Sequence, residues 1–380
     1  MATSSKRSGR LRVAFDATPL LGTRTGIGVA TAEIMAALVK RPEVDLSAYA
    51  VSLRHRGALS SAVPEGVHTH QRPMAARPLA WAWAHGNHPR LERFIDDVDV
   101  VHGTNFMVPP SRKAARVVSV WDLTFVRHPE LCEPATLRFE RLVARAVRSG
   151  AVVHTPAQAI ADEVRRHFGA RREQVVVVPL GIPDLGAPDD EAASALIDLE
   201  RPYVLSIGTA EPRKDLPSLV SAFDLLAKRR DDVQLVLAGP PGWGEGALSA
   251  AIASSTAQER IHRVGYVSDG VLSSLLRRAR TLAYPSLYEG FGFPPLQAMA
   301  AGVPVVTTRV GSLSEVVGGA SLMVEPGDVD DLASALEVGV ADEAQRSVLI
   351  TAGRTRALDF TWERTADALL ALYGRMARRR

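Results

Sequence analysis

Apolar residues fall along this chain in two alternating rhythms. Short runs that are apolar on both faces recur as LRVAF (11–15), DVVHG (99–103), RVVSV (116–120), AVVHT (151–155) and QVVVV (174–178). After a gap come YVLSIG (203–208), QLVLAG (234–239), IHRVGYV (261–267), TLAYP (281–285), VPVVTT (303–308) and SLMVEP (321–326). Runs of this kind predict strands of a parallel sheet covered by helices. Between them, TGIGVATAEIMAALVK, LPSLVSAFDLLAKRR and DDLASALEVGV set apolar residues three and four apart, the stripe of a half-buried helix. Strand and helix in repeated alternation predict an α/β doubly wound fold. The stretch PLGIPDLGAPDDEAA (179–193), rich in Pro, Gly and Asp, interrupts the pattern and predicts a linker. Two Rossmann-like domains follow, 1–182 and 183–360, with a closing segment 361–380 that holds a helix from Trp362 to Arg375. Two such domains on one hinge predict a cleft between the carboxyl ends of two sheets, where ligands of these folds bind.

At 380 residues and 46% apolar, the chain can bury two cores. A single cysteine, Cys132, excludes a disulfide framework and any cysteine-based zinc site, and suits a reducing compartment. No apolar run approaches the roughly 18 to 20 residues of a spanning helix, and MATSSKRSGR is followed by no apolar signal segment. The expected location is the cytoplasm. The formal charge of +3 is unevenly spread: residues 1–180 carry 25 Lys+Arg against 16 Asp+Glu, and the remainder 20 against 26. A basic first half is either a solvated surface or an attraction for a phosphorylated acceptor or an anionic membrane face. Nucleic acid is not an expected partner. Trp81 and Trp83 in RPLAWAWAH read as packing before they read as a lipid contact. The closing RMARRR reads as a solvated end.

Candidate chemistry gathers after three strands. In LYEGFGFPPLQAMAAGVPVV (287–306), Gly290 and Gly292 let the backbone turn and approach a ligand, with Phe291 between them and Phe293 after them. Pro294 and Pro295 suit the first turn of a helix, whose positive end attracts an anion. Glu289, just outside that end, is placed to accept hydrogen bonds from hydroxyls attached to the anion. A sugar joined to a diphosphate fits both features. In GTAEPRKD (208–215), Gly208 and Thr209 leave a strand, and the adjacent Arg213 and Lys214 can neutralise a diphosphate. Gly26 and Gly28, opening the first long helix, can present amides to the same group. The dinucleotide fingerprint is incomplete there, because Thr31 stands where a third glycine belongs, and this argues against a nicotinamide enzyme.

With these residues in hand, the chain resembles a retaining glycosyltransferase of family 4, with the GT-B fold. The resemblance rests on RVAFDATPLLGTRTGIG, DVVHGTNFMVPP, SVWDLTFVRHPE, SIGTAEPRKDL and YEGFGFPPLQAMAAGVPVVTT. It implies a nucleoside diphosphate sugar held mainly by the second domain, an acceptor held mainly by the first, and a terminal helix that crosses back to the first. It also implies that Arg213 and Lys214 bind the donor diphosphate and that Glu289 contacts the donor sugar. Two positions depart from the family. Eight residues after Glu289, where the family places a ribose-binding glutamate, stands Gln297. Trp121 replaces a histidine before Asp122, so no catalytic histidine is carried over. Asp122 is either a residue of the cleft or a loop cap, and the candidates for the acceptor side are Trp121 together with His102 and Asn105 at the end of a strand.

Retention in such enzymes is ascribed to front-face attack, with the departing phosphate helping to take the acceptor proton. On that mechanism the protein positions the reactants and stabilises charge, through Glu289, Arg213, Lys214 and Asp122. No metal or cofactor is required. The DVD at 97–99 resembles a metal motif of a different fold but lies in an acidic helix end ahead of a strand. The resemblance points to mannose from GDP-mannose, passed to a glycan or lipid-linked acceptor in cell-envelope polysaccharide or glycolipid synthesis. The alternatives are glucose or N-acetylglucosamine from a uridine donor, a non-catalytic relative with a degenerate donor site, and a sugar-nucleotide epimerase of similar architecture.

Overall fold

The doubly apolar runs form parallel strands in the computed structural model, which describes residues 9–22, 25–53 and 56–378. The opening MATSSKRS, residues 23–24 ahead of the Gly26 turn and the last two arginines lie outside the described residues. The chain divides into two units. The first comprises the described residues up to Arg127, then Pro134–Gly181 and the segment from Phe360; the second comprises His128–Glu133 and Ile182–Asp359.

Among the described residues the first unit holds seven parallel strands: β1 (Leu11–Asp16), β2 (Val44–Tyr49), β3 (His68–Thr69), β4 (Val100–Gly103), β5 (Ala115–Ser119), β6 (Val152–Thr155) and β7 (Val175–Val177). Their order is β3-β2-β1-β4-β5-β6-β7, with Phe15 of β1 opposite His102 of β4. Val13, Val100, Val117 and Val153 are fully buried, as strands sandwiched between helices require. β2 and β3 were not foreseen. In VDLSAY only Asp45 faces solvent, so Ser47 hides a nearly all-buried strand behind a polar letter, and β3 has two residues at the sheet edge. The helix Trp362–Arg378 belongs to this unit. Leu369, Leu372 and Tyr373 bury its apolar stripe, the Thr365 hydroxyl donates to the Pro179 carbonyl at 2.8 Å, and Asp367 pairs with Arg41 at 2.8 Å.

The second unit holds, among the described residues, β8 (Tyr203–Ile207), β9 (Gln234–Ala238), β10 (Ile261–Gly265), β11 (Thr281–Tyr284), β12 (Val305–Thr308) and β13 (Leu322–Val324), ordered β10-β9-β8-β11-β12-β13. Leu219, Phe223 and Leu226 of helix Leu216–Ala227 pack with Leu332 and Leu336 of helix Val329–Ala341 over Leu235 and Val306 of the sheet. In each sheet the first and fourth strands are neighbours and the order reverses between them. Ligands of doubly wound sheets bind beyond the carboxyl ends of strands at such reversals. The loops that matter are therefore those after β1 and β4, and those after β8 and β11. No helix among the described residues is long and apolar enough to cross a membrane.

Candidate functional site

At the reversal of the second sheet, the loops after β8 and β11 bring four charged side chains together. Gly208, at φ +151°, turns the chain out of β8 ahead of Thr209; a Cβ there would lie 3.3 Å from Lys214 Cε, so glycine leaves room for the lysine to fold back. Pro212–Lys214 form a short helical turn and Asp215, at φ +48°, ends it. From the other loop comes Glu289. Its Oε1 receives Arg213 Nη1 at 2.6 Å, Lys214 Nζ at 2.6 Å and the Ser286 hydroxyl at 2.9 Å. Arg213 also donates to the Tyr288 carbonyl at 2.9 Å and pairs with Glu211 at 3.2 Å. The Lys214 ammonium lies 4.4 Å from the centre of the Tyr284 ring and donates to its hydroxyl.

The backbone of Glu289 is pinned as firmly as its side chain. Its carbonyl accepts the Ser312 amide at 3.0 Å and the Ser312 hydroxyl at 3.2 Å. Gly311, at φ +50°, passes so close that a Cβ would meet the Glu289 carbonyl oxygen at 2.2 Å, which excludes any other residue without a shift of the backbone.

Burial pushes the Glu289 carboxyl up, but the charges and hydrogen bonds of Arg213 and Lys214 outweigh it and hold the group at about 2. Glu289 is therefore a carboxylate at every working pH. The same burial lowers Lys214, against the pull of Glu289, and raises the Tyr284 phenol. Two cations and two carboxylates leave the cluster near neutrality without a ligand. Arg213 and Lys214 are groups that can pair with an anion, and carboxylate oxygens of Glu211 and Glu289 released by such a pairing can accept hydroxyl groups.

The helix expected after Gly292 runs Phe293–Ala301, with Gly292 at its cap (φ +94°) and Gly290 and Phe291 buried ahead of it. Its anion-binding capacity is smaller than its position suggests. Pro294 and Pro295 carry no N–H, so the first turn lacks two of the donors an ordinary helix start presents. The positive charge here comes mainly from Arg213 and Lys214. Gln297 stands apart from the cluster: its amide donates to the Pro183 carbonyl at 3.3 Å, and it lines a cavity of about 520 Å³ with Pro183, Asp184, Arg277 and Arg354.

In the first unit, Gly26 and Gly28 begin helix Gly26–Val39, with Thr25 in the position before it but making no side-chain cap. Gly26 is exposed with open space around it, and the Thr31 hydroxyl is turned inward to the Ile27 carbonyl at 2.7 Å. Two of the residues expected on the acceptor side are corrected. His102 is fully buried, with Nδ1 2.5 Å from the Tyr373 hydroxyl and Nε2 2.8 Å from the Ser119 hydroxyl, which in turn lies 2.9 Å from His154 Nδ1. This chain of partners uses both ring nitrogens and fixes the terminal helix to the sheet. Burial keeps the His102 imidazole neutral, well below its usual range. Trp121 is likewise internal, donating to the Thr104 carbonyl at 2.6 Å with its ring edge-on to His154. Asp122 acts as a cap, accepting the Thr124 amide at 2.9 Å and hydroxyl at 2.8 Å. Asn105 is partly buried beyond the end of β4, its carbonyl oxygen without a partner among the described residues.

Sequence reasoning missed Asp16, the last residue of β1, beside the reversal of the first sheet. It is 2% exposed, accepts the Thr18 amide at 2.9 Å and hydroxyl at 2.5 Å, and burial lifts its carboxyl to about 6 against those bonds. The signal was present: an aspartate ending the central strand of a doubly wound sheet sits where perturbed groups collect. Tyr284 and Ser286 were also passed over, although both share the strand end that delivers Glu289. The tryptophans divide: Trp83 is buried and donates to the Pro89 carbonyl, and Trp81 is exposed. Asp97 pairs with Lys113 and Asp99 with Arg12, so the DVD run is engaged by cations.

Two Rossmann-like units, one with a paired Arg-Lys-Glu cluster at its strand reversal, define a GT-B protein. Residues 189–356 match the family model described as "Glycosyl transferases group 1" and residues 25–181 the "Glycosyl transferase 4-like domain". "O-antigen chain mannosyltransferase B" of Escherichia coli is 30% identical over 384 residues, covering 96% of this chain and 99% of that protein. Among solved structures, sucrose-phosphate synthase from Thermosynechococcus elongatus superposes with a TM-score of 0.76 at 18% identity, covering 98% of this chain and 100% of that one. Anabaena HepE in complex with UDP and glucose gives 0.70 at 18% identity, covering 96% and 100%. The chain belongs to the group 1 glycosyltransferases and resembles bacterial mannosyltransferases.

Proposed function

We propose that this glycosyltransferase transfers mannose from GDP-mannose, with retention and without a metal ion, to a glycan or lipid-linked acceptor of the cell envelope. The observation that carries the reading is the convergence of Arg213, Lys214 and Glu289 at the reversal of the second sheet. Arg213 and Lys214 take the diphosphate and stabilise its charge as the bond to the sugar breaks. Glu289 then holds sugar hydroxyls. A carboxyl held at about 2 is too weak a base to remove an acceptor proton. His102 and Trp121 supply no base in its place, which supports proton transfer to the departing phosphate. The mannosyltransferase relative, matched nearly end to end, supports the choice of sugar. The basic first half supports peripheral contact with an anionic membrane on its cytoplasmic face, where a lipid-linked acceptor would be met.

The test is incubation with labelled GDP-mannose, UDP-glucose and UDP-N-acetylglucosamine, with a glycolipid extract as acceptor and EDTA present. Label transferred from GDP-mannose as the α-anomer supports the reading. Label from a uridine donor alone overturns the sugar assignment. Transfer abolished by EDTA and restored by a divalent ion, at an EDTA concentration that leaves the melting temperature unchanged, overturns metal independence, and a β-linked product overturns retention.

A further inference from the structure

The donor reading leaves unused a pair of histidines at the edge of the first sheet, in the sequence VHTH. β3 pairs with β2 through Ser47 opposite His68 and Ala48 opposite Thr69, and the His70 amide continues the ladder to the Ala48 carbonyl at 2.8 Å. Residues two apart on a strand share a face. The two imidazoles accordingly stand together, edge to face, with ring centres 5.1 Å apart.

A third group meets them. Asp96 follows the buried Ile95, and ligating atoms of His68, His70 and Asp96 all lie within 4.8 Å of one another, the one such group among the described residues. The two segments are held together without any ion, because Arg72 donates to the Arg93 carbonyl at 3.0 Å. Within the acidic run 96–99, Asp97 and Asp99 are engaged by Lys113 and Arg12. Asp96 has no such cation partner among the described residues. His70 Nε2 is buried and has no hydrogen-bond partner among the described residues, a state that is unfavourable unless something fills it.

We propose that His68, His70 and Asp96 bind a zinc ion that fastens the edge of the first sheet to the segment leading into β4. Two imidazole nitrogens and one carboxylate are a nitrogen-rich set that suits zinc and disfavours calcium and magnesium, which prefer oxygen. Rotation of the exposed His68 and Asp96 side chains can bring the ligating atoms to the spacing of a bound ion, and a water completes the four positions. The ion is structural. It ties down a two-residue edge strand that would otherwise hold by few backbone bonds, and it takes no part in transfer.

The test uses the full chain, free of any affinity tag and stripped of metal, titrated with Zn2+ by calorimetry and with Co2+ by its visible absorption. One equivalent of Zn2+ binding at micromolar concentration or tighter is expected, with a rise in the melting temperature. His68→Ala and Asp96→Asn, both at exposed positions and checked for native circular dichroism, should weaken binding at least tenfold. Absence of binding overturns the proposal, and so does binding of equal strength in His68→Ala and Asp96→Asn, which would place the ion elsewhere. Neither result bears on the donor site, whose substitutions leave this cluster intact.

Discussion

Replacing Glu289 by glutamine removes one charge from a buried cluster, and its consequence should depend on pH in a defined way. The carboxyl titrates at 4.5 in an unperturbed chain and at about 2 in the fold. Its ionised form is thus favoured in the folded state by about 3 kcal/mol at neutral pH. Desolvation of Lys214 offsets part of this, since burial lowers that group even beside its partner. At pH 7 the Glu289→Gln protein should therefore be less stable by about 2–3 kcal/mol, with Arg213 and Lys214 left facing an uncharged amide. A depressed carboxyl stabilises above its unfolded pKa, and that stability is lost as pH falls from 4.5 through about 2. By pH 3.5 a little under half of the difference should have disappeared. Hydrogen exchange of the β8 and β11 amides reads the local stability in both proteins. A gap that stays constant from pH 7 to 3.5, or no gap at pH 7, refutes the ion-paired account of Glu289.

Lys214→Met should lower the transfer rate by roughly 10² to 10³-fold with native circular dichroism, the effect of losing one group that stabilises developing charge; an unchanged rate in a coupled assay for released nucleoside diphosphate contradicts the role. Glu211→Gln frees Arg213 from a competing carboxylate and should tighten binding of a nucleoside diphosphate roughly three- to fivefold by calorimetry. Tyr373→Phe leaves His102 Nδ1 without its partner and should cost about 1–3 kcal/mol in urea unfolding, with transfer per folded molecule unchanged. Asp16→Asn should stabilise the protein above pH 6 by about 2–3 kcal/mol, because burial has raised that carboxyl from 3.8 to about 6 and stability is lost as pH rises between those values. The gain should vanish below pH 4, as thermal melts across that range would show.

Much of this architecture was legible because its signals are local. Strands buried on both faces announce themselves as valine runs, and a glycine-rich turn between strand and helix needs only a few residues to be recognised. Arg213, Lys214 and Glu289 were legible for the same reason, each lying a few residues past a strand end. What could not be seen is set by partners far away in the chain. His102 at a strand's carboxyl end looks available until Tyr373, 271 residues later, closes over it. Trp121 likewise looks like a substitute for a catalytic group, and the structure shows a core residue bonded to the Thr104 carbonyl. Gln297 sits at the spacing of a ribose ligand, yet its hydrogen bond runs to Pro183 in the linker. β2 was lost because a buried strand can carry serine when its hydroxyl finds a backbone carbonyl, as Ser47 does at Val13.

The claim that Arg213 and Lys214 form a diphosphate site completed by Glu289 is tested most directly by calorimetric titration of the purified protein with GDP, UDP and ADP, each with and without its sugar, beside Lys214→Met. The account predicts micromolar binding of GDP-mannose that weakens at least tenfold in the variant. Equal binding by parent and Lys214→Met, or no binding of any nucleoside diphosphate, would contradict it.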